Sequence, residues 1–269
     1  MKYSLSRALF LVAAVAALLS PGGTRAAQGG EPDLAALRLV AELPEGLPKR
    51  VSGLAFDGRK IWVMIYHGVG RHALLDPSTL EWEVSSDAAR HAAIANVSGS
   101  FQSPGGACFA GDRLWVGGSY GDSFGYIDTS DWKVGRAFKG RQREDRASQS
   151  YAGLACDGAY LWVAWHWLRY DQPTTQTQLL LKVDAETGKV VAEYPLPAGT
   201  RNDSTHGLAS DGTRLWHMKD SLLSAIDPGT GSVTAQYALP RVRRASGLAW
   251  DGSALWIAEF DGKIWRLSF

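Results

Sequence analysis

The sequence predicts an all-β protein, a five-bladed β-propeller closed by an N-terminal strand that completes its last blade. Three observations predict it. One supersecondary unit recurs five times. Each full copy holds four short alternating segments separated by turn dipeptides. The fifth copy, "GLAWDGSALWIAEFDGKIWRLSF", lacks the fourth segment, and a strand-like stretch ahead of the first copy can supply it.

From the N-terminus, Lys2 and Arg7 precede an apolar run over 8–19, followed by Pro21-Gly22-Gly23 and the small residues Thr24 and Ala26. This is the pattern of a cleavable secretory signal over 1–26, and the run is shorter than the roughly 20 residues that span a bilayer. The mature chain is therefore expected to be secreted or periplasmic, with 27–36 as a flexible leader and 37–269 as the propeller. "LRLVAELP" over 37–44 is similar to "VVAEYPLP" and "VTAQYALP", the fourth segments of the third and fourth copies. Pairing it with "KIWRLSF" closes the ring and leaves no open sheet edge at the seam.

Gly53, Gly106, Gly153, Gly207 and Gly247 mark the copies, at spacings of 53, 47, 54 and 40 residues, a range typical of propeller blades. Alternating Val, Ile, Leu and Trp between turn signals reads as strands. Asp57-Gly58, Asp157-Gly158, Asp211-Gly212 and Asp251-Gly252 suit two-residue hairpins from the first strand to the second. Turns at Asp76, Asp184 and Asp227 join the third to the fourth. Pairing outward from Asp211-Gly212 sets His206 opposite His217. Trp62, Trp115, Trp162, Trp216 and Trp256 share one column and are expected to pack between blades.

With 28 Lys and Arg against 27 Asp and Glu, no bulk attraction to nucleic acid is implied. Cys108 and Cys156, the only cysteines, fall on neighbouring first strands. Channel strands are expected to stand farther apart than the roughly 4.4–6.8 Å that a disulfide needs between Cα atoms, so free thiols are expected.

In a propeller the first strand of each blade lines the channel. The two-to-three loops and the inter-blade crossings then share one face, where ligands of this fold usually bind. All six histidines fall there: His67, His72, His166 and His217 in or beside the loops, His91 and His206 in the crossings. His72 and His91 read as solvated. His206 stands where other copies have Ser52, Gly105, Ala152 and Ser246, and His217 replaces the Val or Ile that follows every other column Trp. Paired directly, the two rings could share a ligand group or a divalent metal, the cofactor being otherwise unknown; the alternative is a pair held by neighbouring carbonyls and water. Trp165, His166 and Trp167 head the longest two-to-three loop, as a stacking surface or as a plug on their own blade. Lys219, Asp220, Glu259 and Asp261 end second strands and place charge at the mouth. The crossings hold eleven basic and five acidic residues, a basic rim suited to an anionic ligand or surface.

The pattern GL-x-x-DG-x-x-LW with a later DP-x-TG resembles plant-type glutaminyl-peptide cyclotransferases, which are five-bladed propellers; "GDRLWVGGSYGDSFGYIDTSDWKV" is most similar to them. The stretches "DGSALWIAEFDGKIWRL" and "TGSVTAQYALP" resemble streptogramin (virginiamycin B) lyases, propellers whose repeats carry an LWFTE element. Both resemblances run along most of the chain and follow a blade scaffold shared by many exported propellers. Where the cyclotransferases carry an acidic residue after the second strand of blade one, this chain has Ile61, Trp62 and Val63. Of the histidines and glutamate that the lyases place near magnesium, His206 and Glu259 have counterparts.

The leading expectation is an exported monomer that binds a small molecule, peptide or anionic saccharide through its histidine-rich, basic-rimmed face, with Trp165, His166, Trp167, Lys219, Asp220 and His67 as contacts. No nucleic acid and no membrane span are expected. A cyclotransferase-like or lyase-like enzyme using His206, His217 and Glu259 is the second expectation. A scaffold that docks a protein through the basic rim is the third.

Overall fold

The computed structural model describes residues 30–66, 72–98, 104–118, 123–139, 147–169, 176–197 and 206–269. Strand β1 (Arg38–Glu42) comes first. Blade one holds β2 (Val51–Phe56), β3 (Ile61–Ile65), β4 (His72–Leu75) and β5 (Trp82–Ser85), and is followed by helix α1 (Ala88–Ser98). Blade two holds β6 (Pro104–Ala110), β7 (Arg113–Gly118), β8 (Ser123–Asp128) and β9 (Lys133–Lys139). Blade three holds β10 (Ala147–Cys156), β11 (Tyr160–Arg169), β12 (Gln176–Asp184) and β13 (Val190–Pro195). Blade four holds β14 (Gly207–Ser210), β15 (Leu215–Lys219), β16 (Leu222–Ile226) and β17 (Val233–Ala238). Blade five holds β18 (Ala245–Trp250), β19 (Ala254–Glu259) and β20 (Lys263–Ser268), and its fourth place is taken by β1. The pairing runs from Arg38 opposite Arg266 to Glu42 opposite Lys263. The chain is a five-bladed propeller, closed as the repeats predict.

The first strands touch one another around the ring, β2 on β6, β6 on β10, β10 on β14, β14 on β18 and β18 on β2. The marker glycines permit this approach. A Cβ on Gly106 would lie 2.4 Å from the Leu154 backbone nitrogen, and one on Gly247 would lie 2.7 Å from that of Leu54. Each interface between blades then holds its own apolar cluster, five in all. Along each strand, alternate side chains face opposite neighbours.

The close channel corrects the thiol expectation. Cys108 and Cys156 are joined by a disulfide, with their Cα atoms 6.0 Å apart, inside the permitted range. The expected separation was wrong because the glycine column draws the first strands together. The bridge closes a loop of 48 residues, worth about 4 kcal/mol on the chain-entropy account. Thiol titration of the denatured, unreduced protein should find no free sulfhydryl, and reduction should lower the melting temperature; two titratable thiols would contradict the bridge.

The hairpins differ in one respect from the sequence expectation. The two loop residues are Gly212 and Thr213, because the Asp211 amide donates to the Arg214 carbonyl at 3.1 Å. Only the glycine takes the left-handed conformation, with φ +88°. Asp211 stands just outside the loop, where Oδ1 accepts from the Thr213 and Arg214 amides at 2.8 and 2.7 Å and Oδ2 from the Trp216 indole at 2.8 Å. The same indole-to-carboxylate bond joins Trp62 to Asp57, Trp162 to Asp157 and Trp256 to Asp251, at 2.6–2.7 Å. The column tryptophans are packing residues, as expected, and four of the five are also pinned to their own turns.

Two further expectations are corrected. Of the leader, residues 30–36 are described and dock on the last two blades: the Asp33 amide donates to the Ser268 carbonyl at 3.0 Å, and Arg214 donates to the Gly30 carbonyl at 2.9 Å. The crossing after blade one is not a loop but α1, whose amides at Ala89 and Arg90 are capped by Asp87 Oδ1 at 2.9 and 3.1 Å. Its Ala93, Ile94 and Val97 fill the interface between blades one and two. Residues 1–29 lie outside the described residues. No helix among the described residues is long and apolar enough to cross a membrane.

Candidate functional site

Blade four presents Leu215, His217 and Lys219 on one side of β15 and Trp216 and Met218 on the other. Leu215 packs in the cluster shared with blade three, whereas Trp216 and Met218 pack in the cluster shared with blade five. His217 and Lys219 therefore face blade three. On β11, Trp162 and Ala164 belong to that same cluster, so His166, two residues further on, faces blade four.

Ladder pairing extends each histidine into a row. In blade three, Ser150 lies opposite His166 and His166 opposite Gln178. In blade four, His217 lies opposite Ser224 and Ser224 opposite Gln236, with the Gln236 side-chain amide donating to Ser224 Oγ at 3.1 Å. Two polar rows thus face each other above an apolar floor formed by Trp162, Ala164, Leu180, Leu208, Leu215 and Ile226.

His206 joins them from just ahead of β14. Gly207 pairs with Met218 and Leu208 with His217, so His206 and His217 are not directly opposite. The expected register is corrected by two positions, because the hairpin loop is one residue further along. The rings still meet across the diagonal, with His206 Nδ1 and His217 Nε2 3.0 Å apart. The His166 ring lies 6.1 Å from the His206 ring, centroid to centroid. His166, His206, His217, Lys219, Ser150 and Ser224 are all buried.

Burial sets the charge state. Loss of water holds His217 far below its ordinary 6.5, at about 3, and the Lys219 ammonium adds to the effect. His206 is likewise held well below its usual value, by burial first and then by His217, Lys219 and His166. Both rings are neutral at physiological pH. Whichever ring donates across the 3.0 Å contact, the outer nitrogens, His206 Nε2 and His217 Nδ1, comprise one donor and one acceptor. Neither has a hydrogen-bond partner among the described residues.

Among the described residues no three His, Cys, Asp or Glu side chains are grouped to hold a metal ion, and the buried Lys219 charge that acts on both rings opposes a second cation.

The other predicted residues are placed elsewhere. Glu259 is on the side of β19 that faces blade five's boundary with blade four, and its Oε1 accepts from the Trp265 indole at 2.8 Å. It is not among the charges felt by His206 or His217. Asp220 is buried, takes φ +54° and bridges to Ala245, next to Glu259 in the ladder. Asp261 is exposed and paired with Lys263 at 2.6 Å.

Trp165 and Trp167 are buried, not exposed, because β11 runs on to Arg169 where a loop was expected. They face blade two while His166 faces blade four, so alternation along the strand splits the expected stacking surface. His72 is also buried, not solvated; it stacks on Trp62 at 5.2 Å, and burial and Arg90 lower it to about 4. His91 is half-buried on α1. His67 lies outside the described residues, as does 140–146 of the basic rim. In the described part of the rim, Arg241 donates to the Leu37 carbonyl at 3.1 Å and Arg244 lies over Phe260 at 4.1 Å, so both clamp the crossing to the ring.

Sequence reasoning missed Ser150, Gln178, Ser224 and Gln236 as members of the rows. A signal was available for Ser224, a polar residue with the aliphatics Leu222 and Ile226 two positions away on either side; Ser150, Gln178 and Gln236 each have a polar residue at one of those positions, Ser148, Gln176 and Thr234, and carried no such signal.

No family model matches the chain, and no curated protein matches it. Among solved structures, virginiamycin B lyase from Staphylococcus aureus, in a catalytically inactive form with quinupristin, is 14% identical over 87% of this chain and 99% of its own, with a TM-score of 0.49. A selenomethionine form of the same lyase gives the same coverage and identity with a TM-score of 0.47. A chain of the mitotic checkpoint complex is 11% identical over 94% of this chain and 68% of its own, with a TM-score of 0.45. Likeness at this level carries no conclusion about activity.

Proposed function

We propose that this chain is an exported recognition module that binds a ligand bearing hydroxyl or amide groups and an anionic group, taken up between blades three and four. The observation that carries this is the pair of buried, unpartnered outer nitrogens on His206 and His217 beside the buried ammonium of Lys219. Leaving such nitrogens without a partner costs about 1–3 kcal/mol each. A ligand that both donates and accepts satisfies them, and its negative charge is favoured by Lys219. Uronic-acid saccharides and glutamyl or glutaminyl peptides have this chemistry.

Turnover of the cyclotransferase or lyase kind needs a further acid or base beside the ligand. Glu259, the candidate for that role, is engaged by Trp265 in a different interface. Binding without turnover is therefore the function that this placement supports.

The test is calorimetric titration of the mature protein with glucuronate, galacturonate and a γ-glutamyl dipeptide. At least one should bind, and Lys219→Met should weaken that binding at least tenfold in a protein that still melts cooperatively. Failure of all three to bind, or binding indifferent to Lys219→Met, would refute the proposal.

A further inference from the structure

On the opposite face, between blades two and three, a cleft of about 380 Å³ is lined by Phe109, Ala110, Arg113, Trp115, Tyr160 and Leu161, among others. It lies where the repeat is broken. Four blades place an aspartate five residues before the column tryptophan and use its carboxylate to accept the indole N–H. In blade two that position is Ala110, five residues before Trp115.

Trp115 keeps the ladder place of its counterparts. It pairs with Cys108 as Trp162 pairs with Ala155 and Trp216 with Ala209. Its ring stacks on Phe138 of the fourth strand, with an interplanar angle of 4°, as Trp162 stacks on Tyr194. The indole is therefore set as in the other blades, with Ala110 offering it no carboxylate. The guanidinium of Arg113, over the Tyr126 ring at 4.6 Å, supplies the cation of the cleft.

We propose that this cleft binds a small aromatic carboxylate whose carboxyl group takes the place of the missing aspartate, accepting from the Trp115 indole and pairing with Arg113, while its ring lies among Phe109, Tyr160 and Leu161. The chemistry is that of a free aryl-alkanoic acid or of the C-terminal carboxylate of a peptide ending in an aromatic residue. The site is separate from the histidine rows and does not depend on them.

Ala110→Asp tests it, because the substitution restores the carboxylate present in the other four turns. Phenylacetate, its amide phenylacetamide, and N-acetyl-glycyl-phenylalanine serve as probes, followed by calorimetry and tryptophan fluorescence on the whole mature protein. Phenylacetate or the peptide should bind and the amide should bind at least tenfold more weakly; the tighter of the two acids identifies the source. Ala110→Asp should weaken binding at least tenfold while leaving the melting temperature equal or higher, Arg113→Gln should weaken it in a second variant, and Lys219→Met should leave it unchanged. No binding by either acid, equal binding by the amide, or binding unaffected by Ala110→Asp and Arg113→Gln would overturn the proposal.

Discussion

Deleting residues 37–44 is expected to abolish cooperative folding. β1 is the outer strand of blade five and the only strand that blade does not supply in sequence order. Its removal strips the β20 ladder over four residue pairs and takes Leu37 from the cluster between blades four and five and Leu43 from that between five and one. It also removes the carbonyl of Leu37 that accepts from Arg241. Two buried leucines alone are worth about 4–10 kcal/mol at the usual cost of truncation. That rivals the whole stability of a typical domain, about 5–15 kcal/mol. Circular dichroism and a thermal melt check this; a truncated chain that melts with the parent's midpoint would contradict the closure.

The second large effect is expected from acid. His72 and His217 are held at about 4 and about 3, and His206 well below the ordinary value. In the unfolded chain all three return to about 6.5. Between those limits the unfolded state binds more protons than the folded state, so stability falls as pH falls. Their contribution is complete above about 6.5, and each group removes about 1.4 kcal/mol per pH unit below it. The loss from His72 ends near 4 and that from His217 near 3. Three such groups threaten the fold by about pH 5, before the aspartates with lowered values begin to matter. The melting temperature should fall steeply between pH 7 and pH 5, by an amount much smaller between pH 9 and pH 7. His72→Phe should reduce the slope by about one proton while keeping the stack on Trp62. A midpoint that stays level down to pH 5 would contradict the buried, neutral state of these rings.

The propeller was legible because the same residues solve the same packing problem five times. Glycine stands where first strands approach, tryptophan where blades meet, and aspartate before each sharp turn save one. The disulfide was not legible, since the distance between first strands is a consequence of the glycine column taken around the whole ring. His206 and His217 were legible as departures from the repeat. Their register was misplaced because an Asp-Gly pair can hold either both or only one of the loop positions, and the backbone bond from Asp211 to Arg214 decides it. The expected grouping with Glu259 failed for a different reason. Glu259 holds the place in β19 that Lys219 holds in β15, and each faces the preceding blade, so His217 and Lys219 look into the interface with blade three and Glu259 into the interface with blade four. Trp165 and Trp167 part from His166 for another reason, the alternation of side chains along one strand. α1 was legible in principle, from Asp87 as its cap and apolar residues at 93, 94 and 97, but it lies in a crossing where the repeat has no equivalent.

The central claim is that neutral, buried histidines between blades three and four form a binding site with Lys219. Long-range nitrogen–proton NMR of the protein labelled at its histidines tests this most directly, recorded near pH 5 with and without glucuronate, galacturonate and a γ-glutamyl dipeptide. The prediction is that the His206 and His217 rings, assigned by His206→Gln and His217→Gln, keep the nitrogen shifts of neutral imidazole at that pH in the fraction that remains folded. One probe should then move the shifts of His206 Nε2 and His217 Nδ1, and Lys219→Met should remove that response. Rings that titrate near 6.5, or ring nitrogens that no probe moves, would contradict the claim.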